Sequence, residues 1–354
     1  MTVRLPLAQS HARELETCGY CPKLCRATCS VSSAEPNEAL TPWGKMSLAW
    51  LAARGLLPRE PSLMRTAWAC CGCRACSDFC ELDNPVADTL MAARAEYRGL
   101  GHVLPRVEQS YARFRAFIAA LTPTAPVESD TLLVVGCSYA RHFPDVARAA
   151  VGAAAGLLGV VEPWFECCGL FPRQVGDTAA SDRARERLLK RARGRRIVAV
   201  DAGCALELGV PTLPELAAER PAALAEVPAL SSESKVRYHD PCRLARGRSD
   251  LSAPRTVLLR ALGREPDEFE RRGKDSACSG AGGALPLSFP EVSARIADER
   301  LREHEALGGG VIVTACASSL RRFRSRGARA LDIVSVLAES VARASSGGHG
   351  RTEE

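Results

Sequence analysis

Long apolar runs are missing from this chain. Its most hydrophobic stretch, Ala149–Val161, is 13 residues of mostly Ala, Gly, Leu and Val, short of the roughly 18 that a membrane-spanning helix needs. Aromatic residues make up 5% of the 354 positions, and only five of the 47 basic residues are lysine. The net charge is +6 with no concentrated basic block, so nothing marks a nucleic-acid footprint. A mildly basic face suits an acidic protein partner. The opening MTVRLPLAQSHARELE has no apolar core followed by a cleavage site, and predicts no secretory signal. What abounds is cysteine, with 16. Secreted disulfide scaffolds are usually small and lack the clustering seen here. The expectation is a cytoplasmic protein with reduced thiols.

Nine of the cysteines fall in two tight runs. The first is Cys18, Cys21, Cys25 and Cys29, spaced C-x2-C-x3-C-x3-C. The second is Cys70, Cys71, Cys73, Cys76 and Cys80, containing C-x2-C-x2-C-x3-C. The latter spacing wraps thiolates around a [4Fe–4S] cube, with the fourth cysteine reaching the neighbouring cluster. Two such runs are the pattern of a two-cluster ferredoxin domain. Cys18, Cys21 and Cys25 are expected to hold one cluster, completed by Cys80. Cys70, Cys73 and Cys76 are expected to hold the other, completed by Cys29. Cys71 fits no ligand slot and reads as a small packed residue. The competing reading is structural zinc on Cys18/Cys21 and Cys70/Cys73, which leaves five of the nine idle. Ser30 and Glu81 stand where proline commonly follows each run.

Helical patterns cover Lys45–Arg54, Val86–Arg98 (opened by Asn84-Pro85) and residues 107–121. Leu121–Pro126 reads as a linker. Beyond it, Leu132–Gly136, Ile197–Val200, Val236–His239 and Val311–Thr314 are short apolar runs of buried parallel-strand type. Ala179–Arg193 and Pro290–Leu307 read as helices between them, with Ser288 as a candidate cap. This is an α/β layout. Cysteines repeat at matching places: Cys137 with Cys242, Cys167-Cys168-Gly169 with Cys278-Ser279-Gly280, and Cys204 with Cys316. In both halves cysteines lie just past the carboxyl ends of strands, where open α/β sheets build their sites. Gly280 and Gly282 lack the third glycine of a dinucleotide fingerprint, since Leu285 stands there. A tight turn or close backbone approach is the expected use. His239 and Asp240 are read either as tuning or proton-relay groups or as loop caps. Arg243 and Arg246 suit an anionic substrate or partner, or solvent.

Cys167-Cys168-Gly169, Tyr238–Cys242, Cys278–Gly283 and Val313–Cys316 resemble the cysteine-rich CCG domain. That family includes a component of heterodisulfide reductase and the iron–sulfur subunits of glycolate oxidase, lactate utilisation and anaerobic glycerol-3-phosphate dehydrogenase. The order of a two-cluster ferredoxin domain and two CCG repeats is similar over nearly the full length. The resemblance implies an α+β multidomain chain. An α-helical two-cluster ferredoxin domain (1–105), a helix and linker (106–130), two α/β CCG repeats (131–234 and 235–344) and a disordered tail (345–354) are expected. It also implies that a repeat can hold a further iron–sulfur cluster, on a cysteine, a Cys-Cys pair and a C-x2-C. The first repeat keeps Cys137, Cys167, Cys168 and Cys204 for one, with Asp201 or Glu207 in the fifth slot. The second keeps only Cys242, Cys278 and Cys316. Ser279 replaces a cysteine, and Ser319 or Val313 stands where C-x2-C is lost. Serine is a poor iron ligand beside thiolate, so this half is the weaker candidate.

The implied function is an iron–sulfur electron-transfer subunit of an oxidoreductase with two [4Fe–4S] clusters. It would relay electrons between a flavin-dependent 2-hydroxy-acid dehydrogenase and an acceptor such as quinone. Membrane association, if any, would come through a partner. No flavin-binding stretch is visible. The alternatives are a heterodisulfide-reductase-like catalytic subunit reducing a disulfide, and a non-redox structural zinc protein.

Overall fold

A computed structural model describes residues 4–58, 60–122, 125–248 and 251–347. The chain divides into two compact units. The first comprises 1–116, 169–183 and 277–300, and the second 117–168, 184–276 and 301–354. The segments just after the first repeat's cysteine pair and around Cys278 therefore belong with the N-terminal residues.

In the first unit the expected helices form at Pro42–Ala53 and Val86–Gly99. The first of these starts sharply. The Thr41 hydroxyl accepts the Gly44 N–H at 3.0 Å, and Pro42 fills the first helical position, where a missing N–H costs nothing. The second opens directly after Asn84-Pro85, as expected. Pro85 holds the cap position, and Asn84 turns its amide away to the Glu14 carbonyl (2.8 Å) and Cys18 Sγ (3.1 Å). Trp68 and Tyr97 are buried side by side, with ring centroids 6.3 Å apart. Tyr111, Phe114 and Phe171 form a second aromatic group. Ser288 does not cap the helix Pro290–Ala306. It lies in its own short turn, Leu285–Ser288, and its hydroxyl donates to the Trp68 carbonyl at 2.9 Å.

The second unit carries two parallel sheets. Its strands are β1 Thr131–Val134, β2 Glu162–Trp164, β3 Arg196–Ala199, β4 Val236–His239, β5 Asp267–Glu268, β6 Val311–Thr314 and β7 Ala330–Asp332. Sheet one runs β2-β1-β3 and sheet two β5-β4-β6-β7. Strands β1, β4 and β6 are buried at every residue; β1 and β6 are apolar or β-branched throughout, as buried parallel strands are, whereas β4 also buries Arg237 and His239. The apolar stretch that is too short for a bilayer lies mostly in the helix Pro144–Leu158, packed against Ile333–Gly347. Among the described residues no helix is long and apolar enough to cross a membrane. The expected disordered tail is partly helical, since Ile333–Gly347 includes Ser345 and Ser346. Residues 348–354 lie outside the described ones.

Candidate metal centres

The two N-terminal runs interleave. Cys18 lies among Cys21, Cys25 and Cys80. Burial is the main cause that pushes its thiol up to about 12, and the Asn84 amide pulls the other way. Cys25 faces Cys21, Cys29 and Cys80, and burial is again the main cause lifting it to about 11. The second group is Cys76 with Cys70, Cys73 and Cys29. Burial first, then these neighbours, drive the Cys76 thiol well above its ordinary value. Cys29, Cys70, Cys71, Cys73 and Cys76 line one small pocket. Each run thus sends one cysteine to the other run's group. Four soft sulfurs facing one space is the donor set that a thiolate-held iron–sulfur cube requires, so these residues fit one.

Three residues that the sequence did not flag build this region. Lys45 is 2% exposed. Its ammonium donates to the Ala69 carbonyl at 2.8 Å and sits 4.0 Å from Cys29 Sγ. Burial pulls its pKa down, but the charges of Cys29, Cys70, Cys76 and Cys71 outweigh it and the net direction is up. Arg94, 1% exposed, donates to the carbonyls of Ala67 (3.0 Å), Cys70, Gln174 and Gly283 (2.8 Å each). Hydrogen bonds to a charged group contribute about 1.5–3 kcal/mol each, so this fork holds the loop of the second run in place. Asn84, through its bond to Cys18, does the same for the first group. The signal for Lys45 was present, as it is the only charge in the helix Pro42–Ala53.

Cys71 is packed, as expected, but against other thiols. Its Sγ lies 3.5 Å from that of Cys278. Cys71, Cys73 and Cys278 offer sulfurs within 4.8 Å of one another. Glycine makes this approach possible. A Cβ on Gly282 would stand 2.3 Å from the Cys71 carbonyl, and one on Gly283 2.2 Å from that of Cys70. The glycines thus serve a close backbone approach.

In the second unit Cys137, Cys167, Cys168 and Cys204 form one hydrogen-bonded chain of thiols: Cys137 with Cys167, then Cys168 with both Cys167 and Cys204. The Cys167 contact, burial and the nearby Asp201 charge raise Cys137 well above its usual value. Gly136, at φ +84°, leaves Cys204 Sγ room, since a Cβ would lie 3.2 Å from it. Asp201 is not free to complete the set. One carboxylate oxygen accepts the Gly203 N–H at 2.7 Å and the other the Ala317 N–H at 2.8 Å, so it caps two helices at once.

Cys316 and Cys242 are neighbours in the same unit, and Asp201 is near Cys316. Burial is the first cause of the rise of Cys316 to about 12, while Ser319 bonds its sulfur. Cys278 belongs to the other unit. His239 is packed edge-on against Phe323 at 4.9 Å and Phe269 at 6.1 Å. Asp240 is held by both terminal nitrogens of Arg255 at 2.9 Å and by the Gly273 N–H. Both residues therefore stabilise the loop, and Arg246 spends itself on the Lys274 and Ser276 carbonyls. Arg243 is buried, with Asp201 within electrostatic reach.

A family model described as the cysteine-rich CCG domain matches residues 131–209 and 236–321. The chain is 25% identical to a subunit of dihydromethanophenazine:CoB–CoM heterodisulfide reductase from Methanosarcina barkeri, over 93% of this chain and 94% of that protein. It is 28% identical to a subunit of the CoM/CoB fumarate reductase from Methanothermobacter marburgensis, over 51% of this chain and 39% of that one. With the lactate utilization protein A of Halalkalibacterium halodurans it shares 26% over 27% and 38%. Two repeats with strand-end cysteines and relatives of this kind lead to one assignment: the chain carries two copies of the CCG domain, and its relatives indicate an iron–sulfur oxidoreductase-type subunit.

Proposed function

We propose that the protein is an electron-transfer subunit holding two [4Fe–4S] clusters, one on Cys18, Cys21, Cys25 and Cys80, the other on Cys29, Cys70, Cys73 and Cys76. The observation that carries this reading is the exchange of one cysteine between the two runs. Such clusters supply one-electron transfer when bound. The chain's own residues provide thiolates, exclude water by burying Cys18, Cys29, Cys73 and Cys76, and fix the loops through Arg94 and Asn84. Cys137, Cys167, Cys168 and Cys204 are the residues for a third centre. The electron donor is a flavoprotein dehydrogenase acting on a 2-hydroxy acid, and the acceptor is a downstream carrier such as a quinone. Relatives named as subunits of reductases support a partnered role.

A disulfide-reducing reading is favoured by the length of the match to the heterodisulfide reductase relative. One experiment separates them. The anaerobically purified, chemically reduced protein is mixed with a water-soluble quinone or with a small-molecule disulfide. The relay reading expects fast recovery of the visible absorbance with quinone and no thiol release from the disulfide. Two thiols released per disulfide, at catalytic rates, would replace it with the disulfide-reducing one.

A further inference from the structure

The chain has five lysines, and four of them are exposed or half-buried. Lys45 alone is buried, in the wall of the cavity lined by Cys29, Cys70, Cys73 and Cys76. An ammonium carries three donors and a full charge. One neutral carbonyl, that of Ala69, takes one donor, and Cys29 Sγ at 4.0 Å is the next partner. Among the described residues no carboxylate pairs with it. Arg94, equally buried, differs in kind, because its delocalised fork spreads its charge over four carbonyls. A compact buried cation without a counter-charge is costly. Neutral thiols cannot supply that charge, whereas four thiolates around an iron–sulfur core carry net negative charge. Reducing the core adds one more electron, so a fixed cation stabilises the reduced state more than the oxidised one. Low dielectric strengthens the effect, and local charge is one of the levers on cluster potential.

We propose that Lys45 is the built-in counter-cation of the centre on Cys29, Cys70, Cys73 and Cys76, and that it raises this centre's reduction potential. Lys45 is a positioning residue that acts by charge and is not a ligand. The inference rests on the two-cluster reading above. It specifies a role for a residue that cysteine spacing does not reveal. The other centre has a neutral amide, from Asn84, at its sulfur in place of a cation.

The test is an anaerobic redox titration followed by EPR on the full chain, comparing wild type, Lys45→Met and Lys45→Arg. The signal that survives in Cys80→Ala identifies the centre in question. Lys45→Met should move its midpoint to more negative potential, Lys45→Arg should hold it near wild type, and the other centre should not move in either. An unchanged midpoint in Lys45→Met, or an equal fall in Lys45→Arg, overturns the proposal. If Lys45→Met does not load this centre, Lys45→Arg decides. Full loading at the wild-type potential sustains the counter-charge, and failure of both variants assigns Lys45 to packing and overturns it. Wild-type protein with zinc and no iron sinks the cluster reading itself, whereas a loaded centre indifferent to Lys45 sinks only this inference.

Discussion

Cys80→Ala should strip about four irons from the protein, one cube's worth, and leave the cluster begun by Cys70, Cys73 and Cys76 intact. The prediction runs against sequence proximity, since Cys80 is only four residues from Cys76 and far along the chain from Cys18. Its neighbours are nevertheless Cys18 and Cys25. Removing one of four thiolates leaves an iron corner open, while the other group keeps all four sulfurs. Cys71→Ala is the matched control. Its sulfur faces Cys278 and Cys73, and both clusters should survive its loss. Iron analysis with EPR of the reduced variants reads the outcome. Loss of the Cys70-group signal in Cys80→Ala, or of iron in Cys71→Ala, would mean that the ligands are grouped otherwise.

Replacing Cys167 and Cys168 together by serine should abolish any EPR signal beyond those of the two cubes. These two thiols connect Cys137 at one end of the hydrogen-bonded chain to Cys204 at the other, so their joint loss dismantles the whole donor set. Cys242→Ala with Cys316→Ala should leave that signal unchanged. In the second repeat Ser319 already bonds Cys316, and Cys278 belongs to the other compact unit. A signal that follows Cys242 and Cys316 and ignores Cys167 would reverse the assignment.

The central strands β1 and β6 were legible because they are buried and therefore written in apolar or β-branched residues; β4 was legible through Val236 and Tyr238, although it also buries Arg237 and His239. The strands that escaped, β2, β5 and β7, are all sheet edges of two or three residues. Edges tolerate Pro163, and β2 also buries Glu162, whose charge is matched by Arg191 and Arg195; such a run reads as a loop. In β7 the buried Asp332 accepts from the Tyr139 hydroxyl at 2.6 Å, and burial holds its carboxyl up to about 7. Cysteine spacing gave the candidate ligands because cluster geometry constrains neighbours a few residues apart. It gave no account of Lys45, Asn84 or Arg94, whose roles come from contacts with distant parts of the chain. Gly282 and Gly283 read as a close-approach pair, but their target, the Cys70–Cys71 backbone, lies more than two hundred positions earlier and is visible only in three dimensions.

The most direct test is a metal and acid-labile sulfide count on the full chain, purified without air. A brown protein with at least eight irons and a matching amount of sulfide is expected, since each cube takes about four of each. A colourless protein with stoichiometric zinc and no sulfide would contradict the two-cluster reading.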